Sequence, residues 1–354
     1  MEEQSRSILI TWWLGYIWSH TSTVFLEEAY DIIIVDNLSN SDISVLDKIQ
    51  TITWKKPKFY NIDIRNLEEL EKVFKNHPNI DWVIHFAAKK AVGESCQDPF
   101  LYYDNNVIWT NNLLKLMQKY DKKNIVFSSS ATVYDSPKLL PPFSENDRVG
   151  TYNPYGTTKL IMEYMLKDLA TFKWFNVVNL RYFNPIWAHH SWLIWEDPKW
   201  IPSNLIPYIL KVANWEIEYV QIFGDDYDTP DGTGVRDYIH VMDVAEAHLS
   251  AFNQILKYHE YLLENKIDPD KWYFDVFNIW TGDGKSVKEM IELVEKVTEK
   301  KIPYKIVSRR SGDIDTSIAN VQKAKQVLGR EYSRSMYQAI EDAWRFTQKG
   351  NSNS

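Results

Sequence analysis

The sequence predicts an α/β protein: a doubly wound parallel sheet followed by a smaller lobe of mixed helices and strands. Three observations carry that expectation. Short apolar runs alternate with helix-length segments through the first half of the chain, the pattern of right-handed strand–helix–strand crossovers. The first run, residues 8–10, enters a turn at Trp12-Trp13-Leu14-Gly15 and leaves as a helix. That is where a βαβ unit places a phosphate-binding loop. Beyond residue 184 the alternation stops, and turn-rich loops at 198–207 and 225–234 separate the remaining helices.

Taken in order, residues 8–10 form the first strand and 17–28 the first helix. Residues 32–35 are a second apolar run ending at Asp36, 24 positions after Trp12. An acid at roughly this offset, about 20 residues on, accepts hydrogen bonds from a ribose. Residues 59–60 form a short strand leading to Asp63-Ile64, and 67–75 a helix. Residues 82–86 are a strand followed by the small Ala87-Ala88, which leave room for a ligand at the strand end. A helical pattern covers 99–120, and 124–127 is the next strand. Ser128-Ser129-Ser130 follow at its carboxyl end, where open α/β sheets bind ligands. Residues 137–154 read as loop, 155–171 as helix and 177–180 as strand. The second lobe holds helices at 205–213, 244–256, 287–299 and 336–346, and the charged stretch 257–271 reads as a surface insertion.

A chain of 354 residues has room for two lobes and a large core. Forty Lys and Arg stand against 48 Asp and Glu, a net charge of −8. This gives no electrostatic footprint for nucleic acid or an anionic membrane, while a local basic pocket for a small anion stays compatible. The single Cys96 allows no internal disulfide and offers no metal-ligand spacing, so no metal is expected. The first seven residues are polar, no long apolar run follows them, and no stretch reaches membrane-spanning length without charges. The expected location is the cytoplasm.

Tyr155 and Lys159 form Y-x-x-x-K on a helical segment, so both project from one face, one turn apart. A tyrosine, with a pKa of about 10, is a poor base at neutral pH. A nearby ammonium favours the phenolate and is expected to lower that value. Ser130 completes a set able to hold a hydroxyl or ketone oxygen. A Tyr-Lys pair alone is commonplace on helix surfaces; joined to a βαβ start and a serine at a strand end, it points to catalysis.

Several stretches are more specific: residues 83–88 (VIHFAA), 91–95 (AVGES), 102–107 (YYDNNV), 127–134 (FSSSATVY), 180–185 (LRYFNP) and above all 231–241 (DGTGVRDYIHV). With them the chain resembles the extended short-chain dehydrogenase/reductases, and within these the UDP-galactose (UDP-glucose) 4-epimerases, over residues 8–346. The resemblance implies a Rossmann-type NAD-binding domain at 1–183 and a mainly UDP-sugar-binding lobe at 184–354, with some segments returning to the first domain. It implies NAD held by Trp12, Gly15, Tyr16, Ile17, Asp36, Asn37, Asn40, Ser41, Asp63, Ile64, Phe86, Ala87, Lys90, Asn105, Ser128, Tyr155, Lys159 and Tyr182. The UDP-hexose would meet Ser130, Asn184, Asn204, Leu205, Phe223, Arg236, Arg310 and Asp313. Two arginines suit a pyrophosphate, because guanidinium offers paired donors to phosphate oxygens.

The activity implied is an isomerase interconverting UDP-galactose and UDP-glucose by reversible C4 oxidation through a 4-keto sugar. Tyr155 would be the base, with Lys159 keeping its pKa low and Ser130 orienting the reacting oxygen. Family members are usually homodimers. Ser317 matches a position where some epimerases carry a bulky tyrosine, so UDP-N-acetylhexosamines are expected as further substrates. Two alternatives are another nucleotide-sugar dehydrogenase of the superfamily and a non-catalytic dinucleotide-binding protein. Nucleotide-sugar 4,6-dehydratases need an Asp-Glu pair after the serine, where this chain has Ala131-Thr132.

One count is out of line. Glycine averages about 7% of residues, yet the chain has 12 glycines and 15 tryptophans in 354 residues. Against the family, Trp12, Trp13, Trp18, Trp54, Trp109, Trp174, Trp187, Trp192, Trp195, Trp200, Trp215 and Trp280 fall where epimerases have glycine. Trp344 matches a family tryptophan. The pattern is that of a UGA codon meaning glycine but written as tryptophan. Three indoles in the phosphate loop would obstruct the close backbone approach that glycines permit, so a chain made literally is expected to bind NAD poorly.

Overall fold

The computed structural model describes residues 6–11, 16–39, 42–182, 184–186, 188–194, 204–268, 271–310, 313–332 and 334–351. Strand β1 (Ser7–Thr11) leads to helix α1 (Tyr16–Glu27), β2 (Asp31–Asp36), α2 (Ser44–Thr53), β3 (Lys58–Asn61), α3 (Leu67–Asn76) and β4 (Ile80–His85). Then come α4 (Val92–Gln97), α5 (Pro99–Tyr102), a π-helical turn at Tyr103–Ile108, α6 (Trp109–Lys119), β5 (Asn124–Ser128), α7 (Pro154–Lys173) and β6 (Asn176–Arg181). The remainder runs β7 (Asn184–Ile186), α8 (Leu205–Ala213), β8 (Val220–Phe223), β9 (Val235–His240), α9 (Val241–Glu264), β10 (Phe274–Asn278) and β11 (Gly284–Ser286). It closes with α10 (Val287–Thr298), β12 (Tyr304–Val307), β13 (Thr316–Ser317), α11 (Gln322–Leu328) and α12 (Met336–Asn351).

Seven strands form one sheet in the order β3-β2-β1-β4-β5-β6-β10, every neighbour parallel. Its central strands are apolar at successive positions because both faces are covered. Ile8, Ile10, Ile32 and Ile34 face Phe25 of α1, Leu46 of α2 and Phe252 of α9. Leu9, Ile33 and Val35 face Phe74 of α3, Leu113 of α6 and Leu166 of α7. The winding reverses between β1 and β4, and ligands of such sheets lie outside the carboxyl ends at that crevice. The seventh strand comes from far along the chain, beside β6.

The smaller lobe packs Ile206 and Leu210 of α8 with Met290 and Val294 of α10 and Ile340 of α12. Around β9 it gathers β11, β13 and β7, while β8 and β12 form a separate parallel pair. These strands of two to six residues carry too few apolar positions to show as runs in the sequence.

Two expectations change. The helix expected over 244–256 spans Val241–Glu264 and absorbs part of the charged 257–271 stretch. Leu262 is buried there, and the Tyr258 ring lies 5.1 Å from that of Tyr273, so this part of the stretch is a packed helix end. The helical pattern over 99–120 is interrupted by the π-helical turn, which carries the buried Asn105 and Asn106.

Five histidines are buried. His85 joins β4 to its neighbours through Thr11 Oγ1 and Thr110 Oγ1, each at 2.7 Å. Burial pushes His20 and His248 down to about 4, and His85, His189 and His240 to about 3. Below pH 6.5 the unfolded chain takes up protons that these folded sites refuse, so stability present at neutral pH is lost as pH falls toward 4. Each contributes about 1.4 kcal/mol per pH unit in that window. Burial raises Asp237 and Asp243 to about 6, which works in the opposite sense but for two groups against five. The urea midpoint should therefore drop sharply between pH 7 and 5; a flat profile would contradict the buried neutral histidines.

Candidate functional site

The first turn of α7 is built to sit close against the end of β5. Asn153 caps the helix, its Oδ1 accepting from the Gly156 amide at 2.8 Å, and Pro154 occupies the first turn. A Cβ on Gly156 would meet the Thr132 carbonyl oxygen at 2.8 Å, so this position has room only for glycine. The close approach brings Tyr155 to Ser130, whose side chain hydrogen-bonds it. Ser130 Oγ also accepts from the Thr132 hydroxyl at 3.0 Å and the Thr132 amide at 3.2 Å.

One turn on, Lys159 Nζ donates to the Ser128 carbonyl at 2.7 Å and lies 4.9 Å above the Phe127 ring. The Ser128 hydroxyl is hydrogen-bonded to Tyr182, which is buried at the end of β6. The expected lowering of the tyrosine pKa does not come from the chain itself. Burial pushes Tyr155 up to about 12, against the Ser130 hydrogen bond. Burial likewise brings Lys159 down to about 7, with the Glu163 carboxylate opposing. Desolvation outweighs attraction because both groups lie inside the protein.

Beneath this pair, Glu163 makes a buried ion pair with Arg181, Nη2 to Oε2 at 2.6 Å and Nε to Oε1 at 3.0 Å. Ser129 Oγ donates to the same carboxylate at 2.5 Å. Asn106, in the π-helical turn, donates to Thr158 Oγ1 at 2.9 Å and accepts from the Lys89 amide at 2.7 Å, tying the loop after β4 to α7. Neither Glu163 nor Asn106 was singled out from sequence. The signal for Glu163 was its spacing of four from Lys159, and for Asn106 a polar pair inside a helical pattern.

Other expected residues line the carboxyl ends of the strands. Tyr16 and Ile17 open α1 and are buried. Asp36 ends β2, buried, with Oδ1 accepting from the Leu38 amide at 2.6 Å. Asn37 donates to Asp63 at 3.2 Å, and Arg65 pairs with the same carboxylate beside the buried Ile64. Phe86 and Ala87 both donate their amides to the Thr11 carbonyl at 3.1 Å. Lys90 is exposed on the following loop, and Asn105 donates to the Leu101 carbonyl at 2.6 Å. Trp12, Gly15, Asn40 and Ser41 lie outside the described residues. The donor set fits a dinucleotide at both ends: a buried carboxylate for ribose hydroxyls at β2, small alanines at the end of β4, and an amine and a phenol at β5.

A second group lies in the smaller lobe. Asp313 faces both arginines, 3.0 Å from Arg310 Nε and 4.0 Å from Arg236 Nη2. The Arg310 guanidinium stacks over Phe223 at 4.6 Å. Tyr227, not anticipated from sequence, faces the same charges and is buried. Two guanidiniums sharing one carboxylate leave a net positive site suited to a phosphate. Asn184 donates to the Asp237 carbonyl at 3.1 Å across β7 and β9. Asn204 and Leu205 stand on another element, at the start of α8. Ser317 is buried in register with Arg236.

A family model described as GDP-mannose 4,6 dehydratase matches residues 9–343. The UDP-glucose 4-epimerase of Bacillus subtilis is 45% identical over 342 residues, covering 96% of each chain. The crystal structure of UDP-glucose 4-epimerase from Bifidobacterium longum with NAD+ and UDP superposes with a TM-score of 0.89 at 44% identity, covering 98% of this chain and 100% of that one. That of Stenotrophomonas maltophila, with NAD and formylated UDP-arabinopyranose, also scores 0.89, at 40% identity over 99% and 100%.

Removing one partner of a buried ion pair costs about 3–5 kcal/mol. Glu163→Gln should lose that much in urea unfolding, and the double variant Glu163→Leu with Arg181→Met should recover most of it. A Glu163→Gln chain of unchanged stability would refute the anchor.

Proposed function

The chain belongs to the UDP-glucose 4-epimerase family, within the extended short-chain dehydrogenase/reductases, and we propose that it interconverts UDP-glucose and UDP-galactose on a bound NAD. The observation that carries this reading is the part-buried Tyr155 set against the buried Lys159 and Ser130 at the carboxyl end of β5. The arginine pair around Asp313 supplies the site for a pyrophosphate. The 4,6-dehydratase alternative is weaker: Ala131-Thr132 follow Ser130, and the Thr132 hydroxyl is engaged with Ser130 rather than replaced by a carboxylate.

Asp36 and Asn37 hold the adenosine ribose in this reading, and Lys159 and Tyr182 line the opposite end. When bound, NAD would supply a reversible hydride acceptor for C4 and a positively charged ring. Tyr155 takes the proton of the sugar 4-hydroxyl on its phenolic oxygen and gives it back. Because burial holds Tyr155 near 12, it needs positive charge beside it to act near neutral pH. Lys159, held on the Ser128 carbonyl, places its ammonium one helical turn away. Ser130 hydrogen-bonds the reacting oxygen, and the 4-keto sugar turns between the two transfers while Arg236 and Arg310 keep the diphosphate.

Residues 1–183 serve mainly NAD and 184–354 mainly the UDP-sugar, with α9 and β10 returning to the first unit. No described helix is long and apolar enough to cross a membrane. A single exposed cysteine suits a reducing cytoplasm. Phe100 on α5, Ile108 at the end of the π-helical turn, and Tyr164 and Phe172 on α7 are exposed, which suits a homodimer through these helices. The small Ser317 in register with Arg236, where some epimerases carry a bulky tyrosine, supports UDP-N-acetylhexosamines as further substrates.

In protein purified from its source, Tyr155→Phe should cut UDP-galactose epimerisation by about 10²–10⁴-fold while NAD still co-purifies. An undiminished rate would remove Tyr155 from the chemistry. The parent chain should turn over UDP-N-acetylglucosamine, and Ser317→Tyr should abolish that activity while sparing UDP-galactose. Absence of N-acetyl turnover beside good UDP-galactose turnover would sink the wider specificity.

A further inference from the structure

The backbone sets four of the described tryptophans apart. Nine described residues other than glycine have positive φ, and four of them are tryptophans: Trp54, Trp174 and Trp192 at 57° and Trp215 at 63°. A bulky side chain is an outlier in this region, which glycine occupies freely. All four are among those that fall where the epimerase family has glycine. Trp18, Trp82, Trp109, Trp272, Trp280 and Trp344 are absent from the positive-φ set.

The roles played at these positions are glycine roles. Trp54 ends α2 in the left-handed conformation, its amide bonded to the Gln50 carbonyl at 2.8 Å, and Trp174 ends α7 in the same way. Gly329 does this for α11, at φ 65°. Trp215 follows α8 with its amide on the Val212 carbonyl at 3.0 Å. Left-handed helix ends are where glycine is most enriched. Meanwhile the rings at three of these ends do nothing for packing: Trp54 is 89% exposed, Trp215 75% and Trp174 63%. Other tryptophans pack as tryptophans do, with Trp18, Trp82, Trp109 and Trp280 all buried. Trp82 packs at 4.1 Å from the Phe252 ring, and Lys300 sits 4.7 Å over Trp344.

We propose that the chain made in its own organism carries glycine at Trp54, Trp174, Trp192 and Trp215, and at the other positions of the same set, because UGA is read there as glycine. Selection on side chains would not choose the largest residue for four sites that share a backbone conformation glycine favours. A single codon read two ways explains why one residue type replaces one other, at sites remote in sequence, while glycines from the remaining codons survive. The conformational evidence is independent of the epimerase reading. Read through the same codon, Trp12, Trp13 and Trp18 make the loop at 12–18 Gly-Gly-Leu-Gly-Tyr-Ile-Gly, able to admit a pyrophosphate to the backbone.

Peptide mass mapping of the protein purified from its source tests this directly. Peptides spanning residues 54, 174 and 215 should each be lighter by the difference between an indolylmethyl group and a hydrogen, and the peptide spanning 12–18 by three such differences. Tryptophan masses at 54, 174 and 215 would overturn the proposal. A second measurement uses the recombinant chain as written, compared with Trp54→Gly, Trp174→Gly and Trp215→Gly combined. These exposed helix ends lie outside the catalytic set, and the glycine form should unfold at a higher urea concentration. An equal or lower midpoint would show that the three positions do not call for glycine.

Discussion

The buried pair of Glu163 and Arg181 is the constraint on which the site depends. It joins the face of α7 that carries Tyr155 and Lys159 to the last residue of β6, and Ser129 closes it from β5. Two desolvated charges hold together only in good geometry with their remaining hydrogen bonds satisfied. That requirement fixes how far α7 can slide along the sheet. The Gly156 contact with Thr132 and the Lys159 bond to Ser128 then follow at the helix start. Three residues after Arg181 the chain enters β7, which pairs with β9, where Arg236 stands. One ionic anchor thus relates Tyr155 and Lys159 to the strand that carries Arg236.

Charge in this protein is a local matter. The chain is acidic overall, at −8, yet a positive site forms where Arg236 and Arg310 converge on Asp313. In the catalytic set, burial works against both charged forms, raising the phenol and lowering the amine. The protein alone holds these groups in their neutral states more than their spacing on a helix implied. In the proposed reaction a positive ring beside them would favour the phenolate and couple ionisation of Tyr155 to occupation of the cofactor site.

The tryptophans show how backbone and side chain can disagree. At helix ends such as 54 and 174 the left-handed turn is demanded by the chain direction and by the last carbonyls seeking donors. The fold adopts that turn whatever the side chain. The residue type is therefore judged by whether its ring packs, and at these ends it lies in solvent.

The sequence by itself determined the sheet: alternating apolar runs and amphipathic segments marked β1, β2, β4, β5 and β6 and the helices between them, because strands buried on both faces must be apolar throughout. It also marked Tyr155 and Lys159 by their spacing of four and Ser130 by its place at a strand end, while Arg236 and Arg310 came from the family resemblance. What only the tertiary structure decided were features made between distant segments. These include β10 joining the sheet beside β6, Glu163 meeting Arg181, Asn106 tying the β4 loop to α7, and the short strands around β9. Charge pairing and burial depend on which elements meet in space, so the signs of the Tyr155 and Lys159 shifts could not be read from a helical spacing of four.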